Sequence, residues 1–137
     1  MNDQEIAQLL STARTIAVVG LSGDPDRPSF GVAQYLQSKG YRILPVNPTI
    51  DSVLGEKSYA SVSEIPEKVG IKVDIVDVFR RPEFVPALAE EAIKIGARCL
   101  WLQLGVVHEE AARRARDAGL LVVMDRCLAV ERLRLAG

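Results

Sequence analysis

Five short runs rich in Val, Ile and Leu recur along the chain, at Ile16–Val19, Arg42–Val46, Ile75–Phe79, Leu100–Leu104 and Leu121–Met124. They are near-continuous rather than alternating, so each reads as a strand covered on both faces, the environment of a parallel sheet. Parallel neighbours need a crossover between them, and helical stretches fill the gaps. One is expected from Ser29 to Lys39, before Gly40. A second sets Val85, Leu88, Ala92 and Ile95 on one face and stops at Gly96, its start obscured by Pro82 and Pro86. A third carries Val107, Ala111, Ala115 and Ala118 as a seam that lets it lie close to the sheet, and stops at Gly119. Its Glu109 and Glu110 precede Arg113, Arg114 and Arg116, an order that suits the helix dipole.

At the N-terminus, Ile6, Leu9, Leu10 and Ala13 recur at helical spacing after an expected Asp3 cap. The last helix is expected from near Arg126, burying Leu128 and Leu133. Residues 49–72 are less regular; Gly55 and Pro66 suggest a turn and one short helix. No repeat or linker interrupts the 137 residues, so one domain, 1–137, is expected. The alternation predicts a three-layer α/β fold: a doubly wound, parallel, five-stranded sheet in the order 3-2-1-4-5.

The composition narrows the partners. A net charge of −1 supplies no field for nucleic acid, and the apolar runs fall far short of a membrane span. The opening Met1-Asn2-Asp3-Gln4-Glu5 is unlike a secretion signal, and Cys99 and Cys127 do not make a disulfide scaffold. A cytoplasmic protein is therefore expected. Arginine exceeds lysine and asparagine is scarce, which points weakly to a heat-adapted source.

Ligands on such sheets bind beyond the carboxyl ends of the strands. After the first strand stand Gly20, Ser22, Gly23, Arg27, Ser29 and Gly31, a glycine turn that opens a helix and suits an anion. Asn47-Pro48 follow the second strand, and Phe79-Arg80-Arg81-Pro82 the third. Gln103 and Gly105 follow the fourth, and Asp125-Arg126-Cys127 the fifth. Singly, each arginine reads as a solvated charge, Ser29 as a helix cap and Phe79 as core. Together, four arginines on one rim point to a ligand with several phosphates. The NAD fingerprint fails in two places: Ser22 stands where a second glycine is required, and Asn47 where a ribose-binding carboxylate is required. A ribose that already carries phosphate, as in NADP or coenzyme A, suits the chain better.

Five motifs carry a resemblance across almost the whole chain: Gly20-Leu21-Ser22, Tyr41–Pro48, Asp77–Glu83, Trp101–Val106 and Val122–Cys127. They resemble the small stand-alone CoA-binding domain proteins, a family similar to the N-terminal domain of the succinyl-CoA synthetase α subunit. The resemblance implies a Rossmann-like sheet holding CoA by its ADP portion. Gly20, Ser22, Gly23, Arg27 and Ser29 would hold the phosphates, Asn47-Pro48 and Phe79-Arg80 would flank the nucleotide, and Gln103 and Gly105 would line the path of the pantetheine arm. The synthetase's phosphohistidine domain and its nucleotide-grasp partner have no counterpart in this sequence, so the resemblance implies binding of CoA or acyl-CoA without ligase chemistry.

The residues themselves offer no confident catalyst. His108, the single histidine, reads as a surface residue at a helix start. Asp74 and Asp77, three apart, fall on opposite faces of a strand, and Asp77 reads as partly buried and bonded to a loop. Cys99 reads as core. Cys127 reads first as a small buried apolar residue; its place beside Arg126 at a helix start also sets a mixed disulfide with CoA within chemical reach. The expectation is a CoA-binding carrier, sensor or regulatory protein. The rivals are an NADP- or acyl-CoA-dependent enzyme and an interaction module that has lost its ligand.

Overall fold

A computed structural model describes residues 2–136. Helix α1 (Asp3–Thr12) leads into β1 (Thr15–Val19), α2 (Pro28–Ser38) and β2 (Arg42–Val46). A small hairpin, β3 (Ser52–Val53) and β4 (Glu56–Lys57), and the short α3 (Glu64–Val69) precede β5 (Ile75–Val78). Then come α4 (Val85–Lys94), β6 (Cys99–Leu102), α5 (Glu109–Asp117), β7 (Leu121–Val123) and α6 (Leu128–Ala136).

The main sheet runs β2-β1-β5-β6-β7, all parallel. The chain also touches the outer side of β2 through one parallel bridge, Val46 to Tyr59. Tyr59 donates its N–H to the Pro45 carbonyl, and Asn47 donates to the Tyr59 carbonyl, both at about 2.9 Å or less. With that rudimentary position counted as third, the sheet follows the 3-2-1-4-5 pattern, and Ile75–Val78 takes the fourth place; over the five long strands alone the order is 2-1-3-4-5. The reduction has a local cause. Pro45 and Asn47 turn their backbone polar groups away from β1, and proline has no N–H to offer an outer neighbour.

Side chains alternate along each strand and so divide the core in two. Ile16, Val18, Ile43, Ile75, Cys99 and Trp101 pack beneath α1, α2 and α6. Ala17, Val19, Leu44, Val76, Val78 and Leu100 pack beneath α3, α4 and α5. The three layers are those expected.

Several local expectations are corrected. Asn2, not Asp3, caps α1: its side chain accepts from the Glu5 N–H at 2.9 Å, and Glu5 reaches back to the Asn2 N–H. The α5 seam is Ala111, Ala112 and Ala115; Val107 and Ala118 lie exposed outside it. Helix α6 begins at Leu128, and Leu133 is 65% exposed, because the inward face of that helix carries Leu128 and Glu131 instead. Pro82 opens a 3-10 turn, Pro82–Phe84, that feeds directly into α4, and Pro86 sits in the first turn of that helix. No helix among the described residues is long and apolar enough to cross a membrane.

Candidate functional site

Strand β1 ends at Gly20, where the chain meets the exit of β5. A Cβ on Gly20 would sit 2.9 Å from the Phe79 carbonyl oxygen and 3.0 Å from Arg80 Cδ, and its φ of +86° is unfavourable for other residues. Glycine here lets two strand exits press together. The following loop then folds on itself. The Ser22 N–H donates to Ser29 Oγ and the Asp24 N–H to Ser22 Oγ, each at 3.0 Å. Ser29 is therefore a buried loop staple inside the first turn of α2, and Arg27 holds the cap position without a side-chain cap bond. Gly20, Ser22, Arg27, Pro28, Ser29 and Phe79 enclose a hollow of about 370 Å³ at the N-terminal end of α2. Arg27 and the Ser29 N–H at the start of α2 make that hollow suited to an anion.

Asn47 ties the β2 exit to this loop. Its Nδ2 donates to the Leu21 carbonyl at 3.0 Å, while its Oδ1 accepts from the Thr49 N–H and hydroxyl. Both ends of the side chain are engaged, so Asn47 shapes the wall through the backbone it holds. Asn47 and Pro48 border a further hollow of about 350 Å³ with Lys57, Tyr59 and Lys68.

A cavity of about 530 Å³ opens beyond β5 and β6. Phe79, Arg80, Arg81, Gln103, Gly105 and Cys127 line it together with apolar Val32, Pro82, Leu104 and Val106. Pro28 and Phe79 border both this cavity and the α2 hollow, so the two adjoin. Arg80 lies over the Phe84 ring at 4.1 Å and Arg81 at 5.6 Å, which holds the two guanidinium groups on one aromatic support. Arg81 also pairs with Glu83 at 3.0 Å in solvent. Gly105 donates its N–H to Asp125 Oδ1 at 2.7 Å, joining the β6 and β7 exits.

At the floor of this edge, Asp77 is fully buried on the α1–α2–α6 side of β5. Gln103 Nε2 donates to its Oδ1 at 2.7 Å, and Oδ2 has no partner. Burial pushes the Asp77 carboxyl up to about 7, against the opposing pull of the Gln103 hydrogen bond. Burial and the neighbouring Asp77 charge also push the Cys99 thiol far above its usual range, so Cys99 is an inert core residue as expected. Asp77, expected to be partly buried, is fully buried. Asp74, on the opposite face, instead accepts the Arg14 and Thr15 N–H groups.

Of the residues singled out in the sequence, Gly20, Ser22, Arg27 and Ser29 share the first hollow, and Phe79, Arg80, Arg81, Gln103, Gly105 and Cys127 share the cavity. Gly23 is exposed and borders neither. Arg126 does not line the edge cavities: its carbonyl accepts from Trp101 Nε1 at 2.9 Å, and its charge reaches Asp3, whose carboxyl is held below its ordinary value chiefly by Arg134. Cys127 is half-buried at the cavity wall, rather than sealed in the core. His108 is the N-cap of α5, accepting from the Ala111 N–H at Nδ1 over 3.1 Å. Phe84 and Val32 escaped the sequence reading. Phe84 follows Arg80 by four residues across a turn, and Val32 follows Pro28 by four on one helical face, a spacing that could have flagged it. No cluster of three or more metal-ligating side chains occurs among the described residues.

A family model for the CoA binding domain matches residues 14–132. The uncharacterized protein YneT of Bacillus subtilis (strain 168) is 46% identical over 126 residues, spanning 92% of this chain and 90% of that one. A solved protein from Pyrococcus horikoshii OT3 superposes with a TM-score of 0.93 at 39% identity, covering 100% of this chain and 94% of the other. The alpha subunit of ADP-forming acetate–CoA ligase II from Pyrococcus furiosus is 27% identical over 125 residues, 85% of this chain but only 27% of the subunit.

Proposed function

The chain belongs to the CoA binding domain family, and from that premise we propose that it binds coenzyme A or an acyl-CoA by the ADP and pyrophosphate portion. One observation carries the reading: the anion-suited hollow at α2 adjoins the largely apolar cavity at β5 and β6 across Pro28 and Phe79. Coenzyme A has the same order of parts, a multiply phosphorylated nucleotide joined to a flexible arm of methylenes and amides. The Ser22 and Ser29 turn with Arg27 takes the pyrophosphate. Arg80 and Arg81, set on Phe84, take phosphate charge from the opposite wall. The arm lies along Gln103, Gly105 and Val106 toward Cys127.

The protein acts as a carrier, sensor or regulator in the cytoplasm rather than as a ligase. The cavity walls supply donors, acceptors, arginines and a thiol, while His108 is spent on capping α5. Isothermal titration with CoA, dephospho-CoA, acetyl-CoA and NADP tests the proposal. CoA should bind tighter than NADP, and loss of the 3′-phosphate should weaken binding. Absence of CoA binding at millimolar ligand, or a preference for NADP, would refute it.

A further inference from the structure

Gln103 is 4% exposed and is the one polar side chain at the cavity floor whose direction is set from below. Its amide nitrogen is committed to Asp77 Oδ1 at 2.7 Å. Its Oε1 receives no hydrogen bond and yet is not sealed off from solvent, since the buried unpartnered side-chain atoms among the described residues are Tyr35 Oη and Asp77 Oδ2. An amide in this setting could present either of its ends. Asp77 removes that freedom when ionised, because a carboxylate only accepts hydrogen bonds and would repel Oε1.

We propose that Asp77 is a positioning residue that fixes the Gln103 amide so that the cavity displays an acceptor oxygen, selecting a ligand whose otherwise apolar arm carries an N–H donor. Resting on the CoA reading above, that donor is an amide N–H of the pantetheine arm. Asp77 touches no ligand itself; the orphaned Oδ2 and the buried carboxyl are the cost of holding Gln103 one way round. The surroundings support a dedicated role. Asp77 is flanked by Val18 and Trp101 on the neighbouring strands, and only Gln103 acts on its carboxyl as a polar partner. A buried carboxyl with one unmet oxygen does not stabilise the fold, so packing alone does not account for it.

The test uses the intact protein, CoA, and a CoA analogue with ester oxygens in place of both pantetheine amide N–H groups. Titration calorimetry on the wild type should show CoA bound about fivefold tighter than the ester analogue, the worth of roughly one neutral hydrogen bond. Asp77→Leu should abolish that preference while raising the melting temperature, a combination that a merely structural role would not give. Asp77→Asn can offer Gln103 either its oxygen or its NH2 group, so its preference should fall between those of the wild type and Asp77→Leu. Independently of ligand, the Gln103 side-chain amide should show slow hydrogen exchange by NMR in the wild type and fast exchange in Asp77→Leu. An unchanged preference in Asp77→Leu, a wild type indifferent to the ester, or fast exchange in the wild type would overturn the inference while leaving CoA binding intact. Failure of CoA to bind the wild type would remove the functional reading and this inference together.

Discussion

The buried carboxyl of Asp77 makes stability depend on pH in a direction opposite to that of most carboxylates. In the folded protein the group keeps its proton up to about pH 7, whereas the ordinary value is 3.8. Between those two values the folded state binds the extra proton, so its stability falls as pH rises. The contribution is most favourable below pH 3.8 and is lost as pH climbs through 7. Three units at about 1.4 kcal/mol each give roughly 4 kcal/mol, a large part of a typical domain's stability of about 5–15 kcal/mol. Asp77→Asn has the shape of the protonated acid and does not titrate. Urea unfolding of both proteins from pH 4 to 8 isolates this residue, because the other titrating groups cancel in the difference. The two midpoints should coincide near pH 4 and separate in favour of the variant by about 2 to 3 M at pH 8, for a slope of about 1.5 kcal/mol per molar urea. A separation that is constant with pH, or that favours the wild type as pH rises, would refute the argument that Asp77 is desolvated without a compensating charge.

Three other perturbations have expected outcomes. Gly20→Ala forces a Cβ against Phe79 and Arg80 at a left-handed φ; it should cost about 3 kcal/mol and lower the melting temperature by about 10 °C in a thermal scan. Arg80→Ala with Arg81→Ala should weaken CoA binding by about a hundredfold, at roughly tenfold for each charge-assisted contact, and flatten its salt dependence in calorimetry at 50 and 500 mM salt. His108→Ala removes the Ala111 cap bond and should lower the melting temperature by about 4 °C while leaving CoA affinity unchanged, because α5 starts away from the ligand cavity.

What the chain discloses without its structure follows the range of the forces involved. The β2 segment Arg42–Val46 matches residue for residue, because a both-faces-buried strand bounded by Gly40 and Pro48 is a local signal. The gathering of the polar strand ends is legible for the same reason: topology places every one of those loops on one edge. What stayed hidden depends on distant partners. Nothing near Asp77 announces that Gln103, twenty-six positions on, closes over it. Asn47 was read as a wall residue, but its tie to the Leu21 carbonyl, also twenty-six positions away, could not be. Arg126 carries a charge at a strand end, and only packing shows its carbonyl accepting from Trp101 Nε1. Leu133 fails for a similar reason: helical period alone does not say which face the Arg134–Glu131–Asp3 network turns inward.

Pro45 has a consequence for how the molecule behaves in company. The outer rim of a sheet is ordinarily a template on which another chain can lay a strand, the first step toward aggregation. Here that rim offers a carbonyl already taken by Tyr59 and a proline nitrogen that cannot donate. The opposite rim, β7, is only three residues long. A sheet finished in this way can remain dispersed at high concentration without help from net charge, which at −1 supplies almost no mutual repulsion.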